Sequence, residues 1–179
     1  MRRIVTILMI SLLVTLIVGC GGEQPQPQPQ PQPTPTPQPR PTTDFAAIRK
    51  QLNNDLVFKI EVFNFPPDQW NIQESMAGTL DKLANILQKI MKLAKKINSA
   101  DKIKITVVGY SDTSGTQARK MRVSENRSKQ VIKYLVEKRN FAANIFRSQW
   151  RGDQELKNTS DPLSGQNRRV VVIFEGIRE

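Results

Sequence analysis

The chain has 179 residues, of which 27 are Lys or Arg and 16 are Asp or Glu, so its formal net charge is +11. It contains one cysteine and no histidine. Histidine-based catalysis, histidine-ligated zinc and an intrachain disulfide are therefore excluded, and the positive charge favours anionic partners.

Residues 1–19 have the pattern of a secretory signal peptide. Arg2 and Arg3 precede an apolar run from Ile4 to Val18, which is shorter than a comfortable membrane span. Removal of this segment leaves 25 basic against 16 acidic residues, a net charge of +9. We therefore predict an exported protein, for which nucleic acid is the least expected anionic partner.

The segment Ile17-Val18-Gly19-Cys20 resembles the bacterial lipobox. The resemblance implies cleavage before Cys20 and lipidation of that residue, and several acyl chains on one residue suffice for stable anchoring. Gly21, not an aspartate, follows the cysteine, which under Gram-negative sorting rules implies the outer membrane. The alternative is a plain transmembrane anchor with an incidental cysteine; the position of this single cysteine disfavours it.

Residues 20–43 form a predicted linker that starts at the lipidated cysteine. From Gln24 to Pro41, proline occupies every odd position and alternates with Gln, Thr or Arg. Such a run favours the polyproline II conformation, and at about 3.1 Å per residue it reaches roughly 55 Å. We interpret it as a semi-rigid spacer, with a ligand for a proline-binding domain as the alternative.

Residues 44–179 form the predicted folded domain, which is long enough for one hydrophobic core. Asp44 is the predicted N-cap of a short helix that ends near Leu52. A strand follows over residues 56–62, where apolar and charged side chains alternate. The double proline Pro66-Pro67 prevents this strand from continuing.

The remaining elements alternate between helix and strand. Apolar residues recur every three or four positions from Met76 to Ile97, which predicts a long amphipathic helix. A second strand is predicted over residues 103–109, and the helix after it ends at about Lys138. Further strands are predicted over 144–150 and 169–174. This order indicates βαβ units packed as a two-layer sandwich.

Asp112 and Arg127 are the candidate binding residues. Asp112 follows the second strand, and Arg127 lies fifteen residues later, on the side of its helix that carries the apolar stripe. A guanidinium there needs an acceptor, and we expect Asp112 to supply it. An acid and a guanidinium can together hold a zwitterion, the acid taking an ammonium and the guanidinium a carboxylate. The alternative is a salt bridge that only fixes the helix to the loop.

Four sequence elements, within roughly residues 57–174, resemble those of the OmpA-like peptidoglycan-binding domain. They are Gly109-Tyr110-Ser111-Asp112, Val123-Ser124-Glu125-Asn126-Arg127-Ser128, Tyr134-Leu135 and Asn167-Arg168-Arg169-Val170. The resemblance implies an α+β fold, a two-layer βαβαββ sandwich with a mixed four-stranded sheet. It also implies that Asp112 binds the ammonium of diaminopimelate and Arg127 its carboxylate. The further binding residues it implies are Ser111, Asn167 and Arg168.

Several positions depart from the family pattern, and Tyr110, Lys120, Trp150 and Gly165 are among them. Lys120 stands where the family usually has an asparagine that helps to hold the peptide, so that contact is not carried over. Gly165 is displaced relative to the glycine that usually precedes the last element. These departures put the geometry of the last loop in question.

With its lipobox, the whole chain is similar to the peptidoglycan-associated lipoproteins. The resemblance implies an outer-membrane lipoprotein that tethers the membrane to the wall, with its domain in the periplasm. The alternative is a structural subunit of an envelope complex, such as a secretion-system outer-membrane core. A hydrolytic enzyme is disfavoured, since no paired acids occur at a suggestive spacing. No cofactor or metal is expected.

Overall fold

The structure is a computed structural model that describes residues 44–177. The predicted signal peptide, Cys20 and the predicted linker lie outside the described residues. No helix within residues 44–177 is both long enough and apolar enough to cross a membrane.

The order of elements confirms the predicted βαβαββ pattern. In chain order they are α1 (Phe45–Lys50), β1 (Phe58–Val62), α2 (Glu74–Lys96), β2 (Ile105–Gly109), α3 (Gln117–Arg139), β3 (Phe146–Trp150) and β4 (Val170–Phe174). A π-helical turn over Gln51–Asp55 extends α1, and short 3-10 turns occupy Ala100–Lys102 and Ala143–Ile145. Three strands begin two residues later than predicted, and for β3 the reason is the turn over Ala143–Ile145, which uses the first two residues of the predicted strand.

Local sequence signals set the ends of the helices. Asp44 caps α1 as predicted, since its Oδ1 accepts a hydrogen bond from the Ala47 amide at 3.0 Å. Thr116 caps α3 in the same way by accepting from the Arg119 amide at 3.3 Å. Asn140 ends α3 in the left-handed conformation, which asparagine tolerates better than most residues.

The sheet is mixed, with strand order β1-β4-β2-β3. β4 runs antiparallel to both β1 and β2, whereas β2 and β3 are parallel. Gly109 at the end of β2 pairs with Trp150 at the end of β3 and with Val170 at the start of β4. These three positions define one edge of the sheet, which we call the Gly109 edge.

α2 and α3 pack on one face of the sheet and enclose the core. Its members include Leu80, Leu83, Leu87, Ile90, Val131 and Leu135 from the helices, and Val62, Ile105, Val107, Val172 and Phe174 from the strands. Burying each of these side chains contributes roughly 1.5–3 kcal/mol to the hydrophobic stabilisation. The opposite face carries a smaller buried cluster of Val108, Tyr110 and Val171. The α+β two-layer fold is therefore confirmed.

Candidate functional site

Asp112 lies in the loop that leaves the Gly109 edge and enters α3. It is buried, and its Oδ1 accepts hydrogen bonds from the amide and the hydroxyl of Ser114. Its Oδ2 accepts from Arg168 Nη1 at 3.1 Å. The carboxylate thus stabilises its own loop and pairs with Arg168, which belongs to the fourth family-like sequence element.

Arg127 is the largest fully buried side chain in the described residues and is 1% exposed. Its three nitrogen atoms donate to three backbone carbonyls: Nε to Gln69 at 2.9 Å, Nη1 to Tyr110 at 2.9 Å, and Nη2 to Pro66 at 3.0 Å. Its guanidinium also lies 5.4 Å from the ring centroid of Phe65. The side chain therefore joins α3 to β2 and to the loop after β1.

The expectation that Asp112 accepts directly from Arg127 is wrong. The double proline ends β1, so the carbonyls of the following loop have no strand partner and need donors from elsewhere. Arg127 supplies these donors, and Asp112 pairs with Arg168 instead. This outcome also removes the alternative of a direct Asp112–Arg127 salt bridge.

Asp112 nevertheless influences the pKa of Arg127 by its charge, without a direct hydrogen bond. Burial lowers the pKa of Arg127 to about 10, while the negative charge of Asp112 opposes that shift and Arg168 adds to it. The guanidinium stays protonated at neutral pH. Of its five N–H groups, the three bonds to carbonyls leave one N–H on each terminal nitrogen.

Arg168 lies at the site, close to Asp112, as its predicted role requires. Its Nε donates to the Phe65 carbonyl at 2.6 Å, and its Nη1 donates to the Leu163 carbonyl at 2.6 Å. The displaced Gly165 lies in the same region, where its carbonyl accepts from the Asn64 amide at 3.3 Å. Arg168 therefore connects three loops, those that contain Phe65, Asp112 and Leu163.

Ser111 and Asn167 are both buried, but their hydrogen bonds stabilise different parts of the structure. The Ser111 hydroxyl donates to the Asp112 carbonyl at 2.9 Å, so it lies beside the site. Asn167 is fully buried, and its side-chain oxygen accepts from the amides of Lys157 and Asn158 at 2.8 Å each. Its amide nitrogen donates to the carbonyls of Asn158, Asp161 and Pro162. Asn167 thus holds the loop before β4, and its contact with a ligand stays a prediction.

Lys120 pairs with Asp153 in the loop after β3, and only 13% of its side chain is exposed. The position where the family usually has a peptide-holding asparagine is therefore occupied by an internal ion pair. A second ion pair was not predicted from the sequence: Arg119, on the first turn of α3, binds Asp68 in the loop after β1. The hydrogen bond from Arg119 lowers the pKa of Asp68 below its usual value.

The sequence patterns did not indicate that loop 65–69 belongs to the site. It provides the carbonyls that Arg127 and Arg168 bind and the carboxylate that pairs with Arg119. The only signal in the sequence was Pro66-Pro67, which forces an irregular backbone whose carbonyls lack ladder partners. Three arginines and two aspartates thus meet where this loop, α3 and the last loop converge, an arrangement suited to a zwitterionic or anionic ligand.

The structure is thus a small α+β domain with a cluster of charged side chains at one edge of its sheet. The chain matches the sequence profile of the OmpA family over residues 64–169, which is more than half of its length. The chain belongs to the OmpA family, whose domain binds peptidoglycan and is not an enzyme. A comparison with curated protein sequences finds no match.

Solved structures share this fold at low sequence identity. The OmpA-like domain of FopA1 from Francisella tularensis is 14% identical with a TM-score of 0.54, over 69% of this chain and 75% of that one. The peptidoglycan-associated lipoprotein from Burkholderia pseudomallei is 16% identical with a TM-score of 0.51, over 64% and 89%. A periplasmic fragment of Helicobacter pylori MotB is 20% identical with a TM-score of 0.52, over 67% and 81%.

Proposed function

We propose that this chain is an outer-membrane lipoprotein that binds the diaminopimelate stem peptide of peptidoglycan without covalent attachment and tethers the membrane to the wall. The observation that carries the proposal is the convergence of Asp112, Arg127 and Arg168 at the Gly109 edge. The free end of diaminopimelate bears an ammonium and a carboxylate on one carbon, so it needs an anion and a cation close together.

In the proposed complex, Asp112 receives the ammonium and Arg127 the carboxylate. Arg127 is preorganised, because its three bonds to carbonyls already fix the guanidinium, and binding then costs little side-chain entropy. One N–H on each terminal nitrogen is left to donate to the carboxylate. Arg168 holds Asp112 in place through their ion pair.

The lipobox and the linker support the anchoring half of the proposal. Lipidation of Cys20 would place the chain on the membrane, and the proline run of residues 24–41 would span the distance to the wall at about 3.1 Å per residue. Both attachments can hold at once only if the linker is long enough, so its length matters more than its sequence.

A second candidate function is a structural subunit of an envelope complex, such as a secretion-system outer-membrane core. Two observations favour it. Lys120 is engaged with Asp153, and every polar atom of the Asn167 side chain is bonded within its own loop. Two positions that the family resemblance connects with the peptide are thus used internally.

Replacing Asp112 with asparagine should abolish capture of the mature chain by purified sacculi that contain diaminopimelate. Asparagine keeps an oxygen for the Ser114 donors but removes the charge, and loss of a charge-assisted contact costs about 2–4 kcal/mol. The measurement is the bound fraction in a sacculus pulldown. Sacculi with lysine in place of diaminopimelate should also bind weakly, because they lack the carboxylate for Arg127.

Asp101→Asn is the matched control, because Asp101 is an exposed aspartate in the turn that precedes β2. It removes the same charge and should bind like the wild type. Thermal melts of both variants check that the fold is intact. Wild-type capture of a folded Asp112→Asn variant would remove Asp112 from the site and favour the envelope-subunit function.

Replacing Cys20 with serine should release the mature protein from the membrane. The expectation follows from the lipobox, which would make the acylated Cys20 the anchor of the chain. Fractionation of cells that express Cys20→Ser, with a high-salt wash, measures the effect. Attachment that resists the wash, in protein from which the signal segment has been removed, would contradict a lipid anchor at this residue.

A further inference from the structure

The second half of α2 carries a face of exposed lysines. Its members, which we call the lysine face, are Lys82, Lys89, Lys92, Lys95 and Lys96. At about 100° per residue they occupy an arc of roughly 140°, and at 1.5 Å per residue they extend over about 21 Å. From Lys82 to the end of the helix no acidic residue occurs.

No lysine of this face forms an ion pair with another residue in the part of the chain that the structure describes. Helix stability accounts for only part of the pattern. Lys95 and Lys96 lie in the last turn, where a cation opposes the negative end of the helix dipole. Lys89 and Lys92 lie further from that end, so the dipole does not explain them.

The lysine face lies away from the Gly109 edge. α2 continues through Ala100–Lys102 into the start of β2, which is the opposite edge of the sheet. The segment that leads from the N-terminal part of the chain into β1 lies at this edge too, because Asn53 Oδ1 accepts from the Ile177 amide at 2.7 Å, just beyond the end of β4. The segment before β1 therefore lies at one edge of the sheet, and the candidate site lies at the opposite one, the Gly109 edge.

We propose that the lysine face docks the domain on anionic phospholipid headgroups of the membrane that carries it. The inference rests on the proposed function only for the lipid anchor and the linker. Clusters of several lysines on one helix face are the usual means of binding an anionic membrane surface. A protein partner would call for arginine or aromatic anchors, whereas lysine is depleted from protein interfaces.

The geometry gives this contact a role. The lysine face and the Gly109 edge are separate surfaces of the domain, so the lysine face can contact the membrane while the Gly109 edge stays accessible to the wall. A lipid anchor on the same chain raises the effective concentration of the domain at the membrane, so even a weak electrostatic contact would be populated. The contact would orient the candidate site without blocking it.

The test uses the mature chain, residues 20–179, with Cys20→Ser so that no lipid contributes. Vesicles of phosphatidylcholine with about 30 mol% phosphatidylglycerol should bind it at low salt, pure phosphatidylcholine should not, and about 0.5 M NaCl should release it. The triple variant Lys89→Gln, Lys92→Gln and Lys96→Gln should bind about 100-fold more weakly. Glutamine keeps the helix propensity of lysine, so α2 should remain folded.

The matched control replaces three other exposed lysines, which also form no ion pair in the described part of the chain, with glutamine: Lys59, Lys133 and Lys138. It removes the same net charge and should change vesicle affinity by about twofold or less. Equal losses in the two triple variants, or equal binding to both kinds of vesicle, would overturn the proposal. The proposal would also be overturned if the lysine-face variant kept vesicle binding but lost sacculus capture, because the lysine face would then bind the wall. Failure of the Asp112→Asn test leaves these vesicle results unaffected, so the two proposals fail separately.

Discussion

Replacing Gly109 with alanine should prevent the domain from folding, or destabilise it by about 4 kcal/mol or more. A Cβ at this position would lie 1.8 Å from the Ser124 carbonyl oxygen and 2.8 Å from its carbon. Both atoms belong to the backbone of α3, so relief requires the whole helix to move away from β2. The measurement is the free energy of unfolding in denaturant, or the yield of soluble protein if the variant does not fold.

Gly78→Ala is the matched control. Gly78 lies inside α2, and a Cβ there would meet nothing within 4 Å. Since glycine is a poor helix former, this change should raise the free energy of unfolding by about 0.5–1 kcal/mol. A Gly109→Ala variant as stable as the wild type would mean that α3 does not approach β2 as closely as the structure shows.

This close approach also builds the site. The Ser124 hydroxyl accepts from the Gly152 amide at 3.1 Å, and the Ser128 hydroxyl lies 2.7 Å from that of Ser148. Small side chains at these two positions let α3 lie near β2 and β3. Arg127 is on the same turn and therefore reaches the carbonyl of Tyr110. A shift of α3 would move the guanidinium out of the site.

Replacing Arg127 with methionine should lower the free energy of unfolding by about 3–5 kcal/mol. Methionine fills most of the space, but the carbonyls of Pro66, Gln69 and Tyr110 lose their donor in a buried region. Arg127→Lys keeps the charge but cannot reach three carbonyls in a plane, so its loss should be intermediate. Denaturant unfolding of both variants measures the effect.

Arg122→Met serves as the control because Arg122 is exposed on the same helix. Its effect should stay within about 0.5 kcal/mol. If Arg127→Met were equally mild, the three carbonyls would be satisfied in another way. The expected instability has a practical consequence: loss of wall binding in an Arg127 variant reports on folding as well as recognition, so Asp112→Asn is the sharper probe of the site.

Local sequence signals were sufficient to predict the elements of the fold and the residue types of the site. Alternation over the first strand, the apolar period of α2 and the cap at Asp44 are local signals, so the βαβαββ order could be read from them. The four sequence elements pointed to Asp112, Arg127 and Arg168, and the structure brings these three together. The apolar side on which Arg127 falls predicted its burial correctly.

The contacts that hold these residues in place could not be predicted from the sequence, because they form between distant parts of the chain. Two of the three acceptors of Arg127 are carbonyls 58 and 61 residues away in the chain, and the partner of Asp112 is 56 residues away. Every residue type carries a carbonyl, so such contacts leave no mark in the sequence beyond the double proline that keeps these carbonyls out of the sheet. The same reason hid the role of Asn167, whose bonds are all to backbone groups of its loop. Long-range pairing of side chains with backbone depends on where the chain returns, which only the packed fold fixes.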